Sequence, residues 1–440
     1  MIPATLETWQ KELNPVTEAL LLRRLDPRAV VELTAGLIEV EGHQDHPRQE
    51  SAVAEYVAAY LSERLTGASC KVSLQPIGDG RSNVVASVRG SAPGPSLMFN
   101  AHLDTVPGYG MPNAYQPDIR DGRLRGRGAA DMKGALAAMM VCAEIMASDD
   151  VSFAGELVLT GVAGEENGSP GMQALVQSGI KCDFAVVGEP TSLRVATAHK
   201  GAMWVEAEFH GVATHGSVPH EGINAIYHAA RFVTLVEREL TPAVAARTHP
   251  LLGSATVNTG VVSGGDRPPM VPARCTVQLD RRWLPGERYE DVLNEVRQVV
   301  QRLCQEDPAV KATVTEMEGT SSFVHAPLAC PADTPGLQLL CDVVSERTGS
   351  PAEPVGVQFW TDGALLSAAT GTPTVVCGPG DIAQAHSLDE WVALEQLEHA
   401  AGTYLLFAAR YLDARLTASP ASETTFPLYE ATDRRTGDPR

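Results

Sequence analysis

The chain has 440 residues, 54 of them Asp or Glu against 34 Lys or Arg, for a formal charge of −20 at pH 7. At roughly 150 residues per domain this length allows two or three domains with substantial cores, and it excludes a single small disulfide-stapled module. The acidic excess repels phosphate backbones and anionic bilayers, so neither nucleic acid nor a membrane is expected as a partner, and 44% hydrophobic with 20% charged residues fits an ordinary globular enzyme.

Residues 1–10 hold no basic segment leading into an apolar run, and no stretch approaches the ~18 uninterrupted apolar residues of a membrane span. The eight cysteines, Cys70, Cys142, Cys182, Cys275, Cys304, Cys330, Cys341 and Cys377, are scattered without a CxxC pair. They read as reduced and mostly buried, in a cytoplasmic protein.

The first strand-length apolar run, residues 96–101, exits into Asn100-Ala101-His102-Leu103-Asp104. Residues two apart on an extended segment share a face, so His102 and Asp104 can act together, as a metal-bound imidazole steadied by a carboxylate or as a purely structural pair. Next, Arg125-Gly126-Arg127-Gly128-Ala129-Ala130-Asp131 precedes an apolar helical pattern over residues 132–147. Asp131 stands where a dinucleotide loop needs its third glycine and would repel a pyrophosphate, which leaves it as a helix N-cap or a metal ligand. The run 156–162 exits into Gly164-Glu165-Glu166-Asn167-Gly168, a solvated turn or a site with one ligand and one base; the run 183–187 exits into Gly188-Glu189-Pro190.

From about Gly201 to Glu318 the pattern changes. Ile226, Ala229, Ala230, Val233, Val236 and Leu240 make one helical stripe, Val292, Leu293, Val296, Val299, Val300 and Leu303 a second, and residues 254–262 and 275–280 read as strands between them. Such an insert can fold separately, dividing the chain into residues 1–200, 201–318, 319–417 and a polar tail at 418–440. The last run, 372–377, exits into Gly378-Pro379-Gly380-Asp381-Ile382-Ala383-Gln384-Ala385-His386.

Strand-length runs alternating with helices predict an α/β sheet, whose ligands sit beyond the carboxyl ends of the strands. The predicted exits deliver His102, His386, Asp104, Asp131, Glu165, Glu166 and Glu189 to one edge. Burying so many acids without cations costs more than a fold offsets, and a pair of divalent ions resolves it. Mixed imidazole and carboxylate ligands suit Zn2+, with Co2+ or Mn2+ as alternatives, and one shared carboxylate keeps such ions ~3.5–4 Å apart.

From roughly Asp26 to Tyr411 these motifs, in this order, resemble the acetylornithine deacetylase and succinyl-diaminopimelate desuccinylase family of di-metal amidohydrolases, which also holds glutamate-releasing carboxypeptidases and aminoacylases. The resemblance implies a mixed-sheet, zinc-peptidase-like catalytic domain with an inserted smaller α+β lid and dimerisation domain, assembled as a homodimer. It implies that His102 and Glu189 bind one ion, Glu166 and His386 the other, and Asp131 both, with a cis peptide after Asp131. Asp104 would be the partner of His102, and Glu165 the general base toward water held between the ions. His215, in Thr214-His215-Gly216-Ser217, would reach a partner's active site to stabilise an oxyanion, whereas the residue alone reads as an exposed loop histidine. Asn258 and Arg282 match positions that contact substrate, Arg282 being suited to a bidentate grip on a carboxylate.

Met270 stands where many relatives have Asn, and Phe359 and Trp360 stand where several have smaller residues, which implies an altered pocket with an apolar wall. His43, His46 and His220 read as surface histidines. The expected reaction is hydrolysis of an amide in an N-acyl amino acid or related small carboxylate, with a metallo-exopeptidase on the same scaffold as the alternative. No Gly-x-Ser-x-Gly elbow is present to support a serine hydrolase.

Overall fold

The computed structural model describes residues 13–416. Its larger sheet has nine strands, eight of them in the order Cys70–Gly78, Arg81–Arg89, Ala154–Val162, Ala92–His102, Phe184–Val187, Thr374–Val376, Ala196–His199 and Leu328–Ala329. The ninth, Val355–Val357, pairs parallel with Ala196–His199. Four adjacent central strands, from Ala154–Val162 to Thr374–Val376, run parallel, while the pairings that join them to Arg81–Arg89 on one side and Ala196–His199 on the other are antiparallel. These four are the strands predicted from the apolar runs, and their composition explains their position: Leu97, Met98 and Phe99 are fully buried, as a strand covered on both faces requires.

The predicted helix forms as Gly134–Met146, with Glu144 its one residue that is not buried. It packs between the sheet and the helix Leu394–Tyr411, and its small residues Ala135, Ala137 and Ala138 permit the close approach. Register sets the functional edge. His102 pairs with Val162, Asn100 with Val187, and Val187 with Val376, so the four carboxyl ends finish together and their exits converge.

The segment beginning at Gly201 builds a separate antiparallel sheet in the order Thr256–Gly264, Arg274–Trp283, Gly201–His210 and Lys311–Glu316. The helices Ala225–Leu235 and Tyr289–Glu306 bury Phe232, Val292, Val296 and Val300 against Val205, Ala207, Phe209, Val277 and Leu279 of that sheet. The second predicted stripe holds, with Val299 at its margin. The first is rotated: Ala230 is exposed, while Ala225 and Phe232 join Ala229, Val236 and Leu240 in the core. Within the regular helix Ala225–Leu235, Ala225, Ala229, Phe232 and the following Val236 keep the i, i+4, i+7, i+11 spacing of one face, with Ile226 and Val233 at its margin; a π turn at Val236–Leu240 follows.

All eight cysteines are free, five of them buried, and no helix among the described residues is long and apolar enough to cross a membrane. The predicted tail at 418–440 lies outside the described residues.

Candidate metal centre

His102 ends its strand with its ring 2% exposed. Its Nδ1–H donates to the Asp104 carbonyl at 2.9 Å, and because a carbonyl only accepts, this fixes the proton on Nδ1 and turns the Nε2 lone pair inward. Nε2 there meets Asp131 Oδ1 at 3.0 Å and Glu189 Oε1 at 3.8 Å. The other oxygen of Asp131, Oδ2, lies 3.3 Å from His386 Nε2, which is in turn 2.8 Å from Glu166 Oε1. One carboxylate thus joins two clusters, His102–Asp131–Glu189 and Asp131–Glu166–His386. A third grouping, His102 with Glu165 and Glu166, brings the Glu165 carboxylate within 4.8 Å of the same centre.

Local backbone explains how each side chain arrives. Asp131 sits at a cis peptide bond to Met132, after Gly128 at φ +86°, which lets the chain turn into the buried helix. Glu165 and Glu166 ride a single turn between Gly164 and Gly168, both with left-handed backbone. His386 takes φ +58° in its loop and is half exposed.

The facing atoms of this centre are almost all acceptors. Burial pushes the carboxyls of Glu165 and Glu189 well above the usual range, reinforced by the charge of Glu189 on Glu165 and of Asp131 on Glu189; Glu166 rises for the same reason. Burial opposes charge on His102, but the bond to Asp131 and the nearby acids outweigh it and raise the imidazole; His386 is pushed up to about 10 by Asp131 and Glu166. Asp131, bonded to both rings, is held below the normal carboxylate range despite its burial. Once these groups release their protons, the two imidazoles and three carboxylates, grouped in two clusters that share Asp131, are the donor set that divalent cations bind. The residues therefore fit a pair of metal ions on chemistry alone.

A family profile described as peptidase family M20/M25/M40 matches residues 98–410, which span His102 through His386. The chain belongs to the M20/M25/M40 peptidase family. It is 31% identical over 357 residues to an acetylornithine deacetylase of Myxococcus xanthus, covering 80% of this chain and 89% of the relative. It is 28% identical over 396 residues to an N-formyl-4-amino-5-aminomethyl-2-methylpyrimidine deformylase of Bacillus subtilis, covering 84% and 91%. Among solved structures, a tripeptidase of Staphylococcus aureus superposes with a TM-score of 0.73 at 19% identity, covering 88% of this chain and 99% of that one. A Bacillus subtilis protein described as a dinuclear metal-binding peptidase of the M20 family gives 0.64 at 14%, covering 90% and 99%. As an M20 protein, this chain is a metal-dependent hydrolase.

Other predicted residues fall differently within the M20 chain. Asp104 meets His102 both through its carbonyl and through its carboxylate, which lies 3.6 Å from Nδ1 while accepting from the amides of Gly164, Glu165 and Glu166 at 3.0, 3.1 and 3.1 Å. The Nδ1 hydrogen bond goes to the Asp104 carbonyl, and the carboxylate, held by three amide donors, acts on the ring as a nearby negative charge. His215 is exposed on the second sheet's side, with Ser217 Oγ 2.7 Å from its Nδ1, and is not part of the cluster within one chain. Asn258 is exposed opposite Asp280 in the strand register, and Arg282 binds Asp280 at 2.9 Å; neither joins the cluster.

Met270 is exposed and bridges to His215. His220 is exposed, as expected, and His46 is partly buried, but His43 is a correction: it is 7% exposed, bonded to Glu41 at 2.8 Å and stacked on Tyr115. Its polar sequence context gives no sign that the Tyr115 loop folds over it.

Three residues near the centre carry no distinguishing sequence signal. Arg127 and Glu390 form a fully buried ion pair beneath the Asp131 turn. Asp362 is 1% exposed and its carboxyl is pushed up to about 7 by burial, and its charge contributes to raising Glu165.

Proposed function

We propose that this chain hydrolyses the amide bond of an N-acyl amino acid or related small carboxylate with two divalent ions, of the zinc type, at the His102–Asp131–His386 centre. The observation that supports this reading most directly is the single carboxylate whose Oδ1 meets one imidazole and whose Oδ2 meets the other. In it, His102 and Glu189 would hold one ion and Glu166 and His386 the second, with Asp131 common to both groups. Bound there, the ions would polarise the substrate carbonyl and acidify water.

Glu165, close by and kept basic by burial and by neighbouring acids, accepts the proton of the attacking water and delivers it to the leaving nitrogen. Asp104 holds Glu165 and Glu166 by their amides. His215, exposed on the segment of the second sheet, donates to the developing oxyanion from a second copy. A homodimer through residues 201–318 is supported by the edge strand Thr256–Gly264, where Val261 and Val262 are about half exposed.

Arg282 and Asn258 orient the substrate carboxylate. Trp360 contacts His325 and Phe323 at ring distances of 4.8 and 5.7 Å, two residues from Asp362, and supplies the apolar wall. A metallo-exopeptidase is the second reading, supported by the likeness to the tripeptidase.

Assaying N-acetyl and N-succinyl amino acids and dipeptides with metal-stripped protein reloaded with Zn2+, Co2+ or Mn2+ separates the two. Glu165→Gln is expected to retain its metal while turnover falls by ~10²-fold or more. Full turnover in that variant, or activity indifferent to chelators, would refute the mechanism.

A further inference from the structure

The Arg127–Glu390 pair touches every segment that carries a candidate ligand except the Glu165–Glu166 turn and the Glu189 exit. Nη1 of Arg127 lies 2.6 Å from Glu390 Oε2, and both side chains are 1% exposed. Glu390 Oε1 accepts from the amides of Ala130 and Asp131 at 3.0 and 3.1 Å, so it grips the backbone that bears the shared carboxylate. Arg127 Nη2 donates to the Ser387 carbonyl at 3.1 Å, immediately after His386, and Nε donates to the Pro107 carbonyl at 3.2 Å, in the loop that leaves His102 and Asp104.

A buried ion pair is poor evidence of stabilisation, because desolvating both charges costs about as much as their attraction returns. Here both groups spend their remaining hydrogen bonds on the backbone of ligand-bearing segments. Among the described residues the polar partners of the His386 ring are Asp131 and Glu166, themselves candidate ligands, so the ring does not anchor its own loop to the rest of the fold.

We propose that Arg127 and Glu390 form a positioning unit that fixes the distance between the Asp131 carboxylate and the His386 loop, and so shapes the second metal position more than the first. This rests on the two-ion reading above. The first position keeps supports independent of the pair, in the strand that ends at His102 and in the exit bearing Glu189, whereas the second depends on a half-exposed loop that Arg127 holds at Ser387, with the ties of Gly380 to Gln396 and of Asp381 to Ser192 lying earlier in that loop, well before His386.

The test is calorimetric and Co2+-absorption titration of the full-length, metal-stripped chain, with thermal melting of each metal-free protein. The parent is expected to bind two ions; if it binds fewer, the two-ion reading falls and this inference with it. In Glu390→Gln, one binding event is expected to weaken by about 10- to 100-fold and the other by less than about threefold, the usual scale for a lost supporting bond. Arg127→Met/Glu390→Gln removes both charges, avoids an uncompensated buried ion, and is expected to show the same asymmetry while melting close to the parent. Arg127→Lys keeps the charge but not the planar fork, and is not expected to restore the weak event. Two events weakened equally in step with a lower metal-free melting temperature would mark a merely structural pair, and two unchanged events in a folded variant would also overturn the proposal.

Discussion

Replacing Asp104 with Asn probes how the paired glutamates are held. Oδ1 of Asp104 accepts from the amides of Gly164 and Glu165, Oδ2 accepts from Glu166, and the side chain is buried. The substituted amide keeps one acceptor oxygen and turns an NH2 group toward a backbone N–H. If the oxygen stays with Gly164 and Glu165, the Glu166 amide is left facing a donor, at about 1–3 kcal/mol. The two surviving bonds lose their charge assistance, about 1 kcal/mol each. The total, about 3–5 kcal/mol, is a large share of the stability of a typical domain.

Asp104→Asn is therefore expected either to lose that much in urea denaturation of the metal-free chain or to let the turn relax and misplace Glu165. In the second case turnover falls by about 10²-fold even at saturating metal. Asp104→Ala, lacking any acceptor, should be worse by both measures. The reasoning fails if Asp104→Asn denatures like the parent, turns over normally at saturating metal, and differs only in binding the first ion, which is what orientation of His102 alone would produce.

Three further outcomes follow from the geometry. His199 is fully buried between the Lys200 carbonyl at 3.0 Å and Thr361 Oγ1 at 3.2 Å, and burial lowers its pKa to about 4. The unfolded chain, with its imidazole near about 6.5, takes up that proton first, so this contribution to stability is present above about pH 6.5 and lost as pH falls toward 4. It amounts to about 2 kcal/mol between pH 7 and pH 5, and His199→Gln should remove that slope from urea melts; an identical slope would dismiss the assignment. In Gly378→Ala, the added methyl would lie 2.0 Å from the Gly188 carbonyl oxygen and 2.7 Å from that of Glu189, so the variant is expected to lose about 1–3 kcal/mol or more together with metal affinity, measured by melting and titration. An unchanged melting curve with unchanged metal binding would show that the Glu189 exit tolerates the shift. Removing metal with a chelator should abolish hydrolysis and lower the melting temperature, because the buried acids lose the cations that offset their charge, while far-ultraviolet dichroism below the melt stays close to that of the loaded protein, since the sheet and its helices share an extensive apolar core.

Much of this architecture was legible from composition and period alone. The apolar runs ending at Ala101, Val162, Val187 and Cys377 are strands because doubly covered strands must be apolar throughout, and their polar exits mark the functional edge because parallel strands finish on one side. The types of the candidate metal ligands were equally visible, since a crowd of acids and imidazoles beyond buried strands has few uses other than cation binding.

Tertiary structure alone decided the rest. Which oxygen of Asp131 faces which ring, the use of the Asp104 carboxylate on three amides, the burial of His43 and the Arg127–Glu390 tie depend on segments far apart in the chain, 263 positions in the case of that pair. Periodicity reports the environment of a residue averaged along its own element, whereas a hydrogen-bond partner is chosen by distance and angle between elements. The sequence by itself determined what was brought to the edge of the sheet; only the packed chain determined what each group does there.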